Sequence, residues 1–502
     1  MTLVQNHLQQ SNGNKIIKST AMLFAVLLLH SCTLFKPVNT TTGQKPDDFP
    51  TDITGPVTVD PNTGEPIYNQ KLDIALDTIQ WTETEKNSPV ITSNTTEVFN
   101  PGEKDPNTFN SGMKISYLLP FNAVELNAFS EKLPSKSLDA LHYHNGVLMA
   151  MDNLKEKNIL FTATFIDTEG NSKKLENRLS SSRAVRESNL IIGPFKSSCA
   201  KVAAEYAKEN KIPMVSPRTM RTNITESNPY YLQMNPSVKA HCEALMAYAL
   251  KHYKPEQIVL AGRSKEASEM EMMAYCVDYF NKQKPEGDST YIKEFVITDD
   301  SPGYTNVDVS GMIHNSLPSA IIIPSFKEES FVYEMLNKIR IKKEEREIAV
   351  FGLPQWKTKF VNISPSMFES LNVHITASSY IDIFDPEIKE WRKKYYERFA
   401  MIPEDEAYMA YVTTNYFVKL FAVNGPAFHF LLDSQQDENL VTKFRFEKVM
   451  TPILQFQDDF SYMPVERFEN KHLNILKFKD RYFQPVEKIA LLENNLDIED
   501  ID

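Results

Sequence analysis

Leu190-Ile191-Ile192-Gly193-Pro194-Phe195-Lys196-Ser197-Ser198, followed further on by Ile212-Pro213-Met214-Val215-Ser216-Pro217, decides the fold. Three apolar residues closed by Gly-Pro read as a short strand buried on both faces. A segment from Cys199 to Lys208, with Ala203 to Ala207 at its centre, has helical spacing, and Pro213-Met214-Val215 is the next buried run. Strand, helix and strand in that order make a βα unit of a parallel sheet. Working outward, Ile115 to Leu119 is another compact apolar run, and Leu138 to Leu154 repeats at helical spacing. Ile159 to Ile166 reads as a strand and Lys173 to Ser182 as a polar helix. The rhythm then starts again. Ile258 to Leu260 leads to a helix near Glu266 to Phe280 and a strand at Phe295 to Ile297. Ala320 to Ile323 leads to a helix near Glu328 to Ile339 and a strand at Ile348 to Phe351. Two such blocks predict an α/β protein of two doubly wound, parallel-sheet lobes with a cleft between them. Ligands of such sheets sit at the carboxyl ends of the strands, here the loops after Leu119, Ile192, Val215, Leu260, Ile323 and Phe351.

The order and spacing of these segments resemble type I periplasmic binding proteins. That group includes leucine/isoleucine/valine-binding-like solute receptors and penicillin-binding protein activator-like lipoproteins. Tyr143-His144-Asn145-Gly146-Val147-Leu148-Met149-Ala150-Met151-Asp152, Phe165-Ile166-Asp167-Thr168, Asn228-Pro229-Tyr230-Tyr231 and Pro236-Ser237 continue the likeness, which runs from about Lys114 to Gly425. The resemblance implies three chain crossings between lobes within a binding domain of residues 112–490. Lobe one would hold about 112–236 and 377–435, and lobe two about 237–376 and 436–490, with an acidic tail at 491–502.

The resemblance also points to side chains in the cleft. In amino-acid-binding members, a Ser hydroxyl after the Ile-Gly strand meets the ligand carboxylate. Ser197 or Ser198 stands there, at a helix start that favours anions; Ser197 also reads as a plain N-cap. The other positions depart from the pattern. Thr219 falls one place early for the ligand amine, and Glu266-Ala267-Ser268 replaces a Tyr-Gly step. Gln355 stands where an acid is expected. An ammonium group buried without a carboxylate is costly, so this change argues against a free amino acid as ligand. Arg218 and Arg263 offer guanidinium groups suited to a carboxylate or phosphate, or are solvated loop residues. Trp356 stacks on a flat ligand or packs in the core.

The first residues bear on compartment. Lys15 and Lys18 precede an uncharged apolar run from Ala21 to Leu29, and then come His30, Ser31 and Cys32. The run is about half the ~20 residues of a spanning helix. Leu29-His30-Ser31-Cys32 resembles a bacterial lipobox, which implies a signal peptide of residues 1–31 and lipid, such as palmitate, on Cys32. Several acyl chains suffice for stable anchoring where one does not. Residues 32–111 are rich in Pro, Thr, Asn and Asp and bury little, so they read as a disordered tether. A flexible chain of that length spans on the order of 50 Å. Thr33 and the lack of an early acidic cluster resemble lipoproteins of the outer membrane that face the periplasm.

The formal charge of −12 argues against nucleic acid or an anionic membrane surface as the main partner. Beyond Cys32 the cysteines are Cys199, Cys242 and Cys276, which allow at most one bridge and show no metal spacing. No phosphate loop, nucleophile elbow or zinc-protease helix is visible. The sequence therefore points to a non-enzymatic binding protein without cofactor or metal. Its expected partner is either a small polar molecule in the cleft, as in ABC-transporter substrate-binding proteins of amino acid transport, or a cell-envelope protein whose peptidoglycan synthesis it regulates.

Overall fold

The computed structural model describes residues 57–59, 66–68, 112–126, 133–299, 301–434, 436–450, 465–491 and 496–500. Cys32, the signal segment and most of the expected tether lie outside the described residues. Within that tether, read above as disordered, Val57–Val59 pairs antiparallel with Pro66–Tyr68. The run Val57-Thr58-Val59 is β-branched throughout, which favours extended backbone. Among the described residues no helix is long and apolar enough to cross a membrane.

The main body carries two sheets. Across the first, the strands run Phe161–Asp167, Met113–Leu119, Leu190–Ile192, Met214–Ser216, Tyr231–Gln233, Val465–Asn470, Thr442–Met450 and Gln436–Asn439. The first six are mutually parallel and the last two antiparallel additions. Across the second, they run Lys293–Ile297, Ile258–Arg263, Ser319–Ile322, Ile348–Gly352, His374–Ala377, His472–Lys479, Tyr482–Leu491 and Leu496–Asp500. There the first five are parallel, and each of the last three pairs antiparallel with the strand before it.

Alternation along each strand explains why apolar runs, not alternating ones, mark these sheets. Ile115, Tyr117 and Leu119 enter one core of the first lobe with Leu190 and Ile192, whereas Leu118 and Ile191 enter the core on the other face. In the second lobe Ile321, Ile323, Ile348 and Val350 fill one face, and Ala320, Ile322, Ala349 and Phe351 the other. Both faces are covered by helices, among them Ser135–Glu156 and Asp405–Asn424 in the first lobe and Val238–His252 and Ala267–Gln283 in the second. Gly146 lets the first two of these approach closely: a Cβ there would stand 2.1 Å from the Ala407 carbonyl oxygen.

The chain passes between lobes after Gln233, after Ala377 and at Lys471. The third passage leaves residues 472–490 on the second lobe, as expected, but moves the described residues of 436–470 to the first. Gln436–Asn439, Thr442–Met450 and Val465–Asn470 extend the first sheet. The cause is packing: Phe444 and Phe446 point into the first core, where Phe444 lies 4.5 Å from Tyr416 and Phe446 lies 5.9 Å from Phe417 between ring centroids. The acidic tail adds one more strand. Leu496–Asp500 is the edge strand of the second sheet, with Ile498 opposite Ile489.

A buried charged cluster ties the crossings together. Glu469, fully buried, accepts the Ser237 amide at 2.9 Å, Arg467 Nη2 at 2.6 Å and Lys471 Nζ at 3.2 Å. His241 Nδ1 lies 2.8 Å from the Thr376 hydroxyl, and Asn470 Nδ2 donates to the Met234 carbonyl at 3.2 Å. Hence the first crossing is bonded to both the second and the third, and this hinge fixes where the two cleft walls stand.

Candidate functional site in the interlobe cleft

The first-lobe wall starts at the end of the Leu190–Ile192 strand. Gly193 has φ of 105°, and a Cβ there would lie 2.3 Å from the Leu118 carbonyl oxygen, so only glycine permits this turn. The chain then enters the Ser197–Asn210 helix, whose N-cap position is Lys196. Ser197 is therefore the first helical residue and not the cap. Its hydroxyl lies 3.3 Å from that of Thr219, which is buried and also accepts the Arg221 amide at 3.3 Å. Ser198 is exposed. Two hydroxyls carried just beyond the ends of adjacent strands thus meet in one place.

Arg218 stands beside them, but its charge is already met. Its Nη1 lies 3.0 Å from Asp139 and its Nη2 2.9 Å from Glu406, with the guanidinium 4.7 Å above the Phe195 ring. Burial pushes the Glu406 carboxyl up, and Arg218 opposes that rise. The two acids outnumber the one cation. Asp139 and Glu406 lie on different helices far apart in the sequence, so no local spacing announced them.

The second-lobe wall holds Gln355, the first residue of a short helix after the Ile348–Gly352 strand. Its Nε2 reaches across the cleft to the Met220 sulfur at 3.4 Å, while its Oε1 is buried without a donor. Met220 is itself fixed, since its carbonyl accepts the Val238 amide at 2.9 Å.

Two expected site residues leave the cleft. Trp356 is fully buried in the second core, donates from Nε1 to the Ser325 carbonyl at 2.8 Å and stacks near Phe360. Its ring packs flat on Gly352, where a Cβ would lie 2.4 Å away, so it cannot also stack on a ligand. Arg263 is bonded bidentately to buried Glu269, with Nη2 to Oε1 at 2.6 Å and Nε to Oε2 at 3.1 Å, and lies 4.6 Å above the Phe331 ring. It lines a separate pocket with Asp299, Tyr304 and Glu334. As an anion reader in the cleft it is corrected to a structural ion pair of the second lobe.

Among the described residues two cavities lie between the lobes, with Arg218 on the wall of each. One, of about 400 Å³, contains Ser197, Thr219, Met220, Arg221, Lys327 and Gln355. The other, of about 230 Å³, contains Tyr143, Lys357, Thr358, Asp405, Glu406 and Met409. Each is lined from both lobes. Such a space can hold a small molecule whose contacts would join the walls. Met220, Arg221 and Lys327 had no signal in the sequence beyond their places in strand-end loops.

Residues 143–260 match the family model described as the receptor family ligand binding region. No curated protein matches the chain. Among solved structures, a branched-chain amino acid ABC transporter protein of Rhodospirillum rubrum superposes with a TM-score of 0.52 at 11% identity, covering 75% of this chain and 100% of that one. An ABC-type branched-chain amino acid transporter protein of Rhodopseudomonas palustris gives a TM-score of 0.51 at 12% identity, covering 78% of this chain and 100% of the other. The likeness at these identities is one of fold. The chain has the two-lobed fold of type I periplasmic binding proteins.

Proposed function

We propose that this chain is a lipid-anchored envelope receptor that binds a small polar molecule between its lobes and needs no cofactor. The observation that carries this reading is the pair of interlobe cavities, each lined from both lobes and meeting at Arg218. A ligand that touches both walls binds the closed form better than the open one, which makes closure a signal to a transporter or sensor. Cys32 would hold the domain at the outer membrane on its periplasmic side, with residues 33–111 as the leash. Ser197, Thr219 and Gln355 line the larger cavity and are assigned here as ligand contacts, whereas Ser198 is exposed.

A second reading is a non-catalytic partner of cell-wall synthesis. The Met220–Gln355 contact favours it, since it already joins the lobes across the cleft. Fold alone does not choose between them. A thermal-shift screen of the full chain against amino acids, sugars, sugar acids and nucleotides, with a pull-down from envelope extract, separates the two. Stabilisation by a small molecule supports the receptor; capture of a peptidoglycan synthase with no stabilisation by any of them reverses the order. For the anchor, Cys32→Ala should move the protein from the membrane to the soluble fraction and abolish palmitate labelling. Retention of both in the variant would refute lipidation at Cys32.

A further inference from the structure

The larger interlobe cavity holds two cations that no carboxylate pairs with among the described residues. Of its lining side chains, Arg218, Arg221, Lys239 and Lys327 are cationic and Glu271 is acidic. Arg218 is held by Asp139 and Glu406, and Lys239 lies 3.8 Å from Glu243. Glu271 accepts the Tyr275 hydroxyl. Arg221 and Lys327 have no ion-pair partner among the described residues, and they come from opposite lobes. Gln355 adds a buried amide oxygen that lacks a donor. Met272, buried, and Phe326 supply apolar surface beside these groups.

We propose that this cavity takes a small anion, a carboxylate or phosphate that also carries a hydroxyl or amide donor but no ammonium group. The anion lies between Arg221 and Lys327, and its uncharged donor meets Gln355 Oε1. This assignment rests on the receptor reading and names its ligand class.

The physics follows from where the charges sit. Two cations on facing walls repel each other as the lobes approach, and an anion between them turns that repulsion into attraction. Binding and closure are then coupled through one charge. An ammonium group fares badly in the same place. It meets the same two cations, and the acid on this wall, Glu271, is exposed and already bonded to Tyr275. In the smaller cavity Glu406 is committed to Arg218, and Asp405 shares the lining with Lys357. An orphaned acceptor such as Gln355 Oε1 discriminates strongly for a ligand that supplies the missing donor.

The test is calorimetry and thermal shift on the full chain with D-glucuronate, glucose 6-phosphate, D-glucose and L-leucine as probes. Glucuronate or glucose 6-phosphate is expected to bind, with glucose and leucine silent, and added sodium chloride should weaken the binding. Arg221→Gln and Lys327→Gln should each weaken it about tenfold, a difference of ~1.4 kcal/mol. Both side chains are exposed, so the unliganded melting temperature should stay unchanged. Binding of leucine or glucose at equal affinity in wild type and both variants would overturn the anion assignment and leave the receptor reading standing. An anion that binds the double variant as tightly as wild type would overturn the site. Failure of all four probes would overturn the anion assignment, and the receptor reading falls with it only when the wider small-molecule screen also gives no stabilisation.

Discussion

Replacing Glu469 by Gln should cost about 3 kcal/mol at neutral pH, and the loss should fade in acid. Glu469 is fully buried at the third crossing, and Arg467 and Lys471 around it are only 9% and 15% exposed. Burial alone would raise its carboxyl, but Lys471, Arg467 and the bonds from Ser237 overcome that and hold it from 4.5 down to about 2. That displacement corresponds to about 3 kcal/mol in favour of the charged form. Removing one partner of a buried ion pair costs ~3–5 kcal/mol, in the same range. Glutamine keeps the shape and can still accept from the Ser237 amide, so the loss isolates the charge. The sign fixes the pH window. A carboxyl depressed on folding contributes its stability above about 4.5 and loses it as pH falls toward about 2. Wild type and Glu469→Gln should therefore differ fully near pH 7 and converge only as the pH approaches about 2. Urea denaturation followed by tryptophan fluorescence and circular dichroism at several pH values measures the gap. A loss under ~1 kcal/mol near neutrality, as for an exposed pair, or a gap that stays constant on acidification, would refute the reasoning.

Two further substitutions test the packing that positions the cleft. Gly146→Ala places a methyl 2.1 Å from the Ala407 carbonyl oxygen and 2.8 Å from the Ala410 side chain, so it should cost at least the ~1–3 kcal/mol of an overpacked core. A neutral or stabilising result in urea denaturation would show that the two helices can part freely. Trp356→Ala should lower stability by ~3–5 kcal/mol, as for other large buried aromatics. Trp356→Phe should cost less and leave the affinity for any cleft ligand unchanged; a selective loss of affinity in a stable Phe variant would return Trp356 to the site.

Chain order carried much of this molecule. Buried runs such as Ile191-Ile192 and Ile321-Ile322 must be covered on both faces, and their alternation with amphipathic helices leaves a parallel, two-lobed α/β fold as the natural solution. The strand-end loops around Ser197, Thr219 and Gln355 could be located for the same reason. Partners remote in sequence were illegible. Nothing near Arg218 showed that Asp139 and Glu406 would neutralise it, nor that Phe195 would lie beneath it. Glu269, six residues from Arg263, was closer, yet its role depended on burial that only the folded lobe supplies. Trp356 reads equally as a stacking platform and as core until Gly352 is seen beneath its ring. The lobe to which Thr442–Met450 belongs was likewise decided by what Phe444 and Phe446 could bury, since an alternating strand pattern carries no address. Sequence thus determined the elements and the end of the sheet where a ligand would sit. Tertiary structure decided which charges remain free there, because a side chain's charge is cancelled by whatever the fold brings within a few ångströms of it.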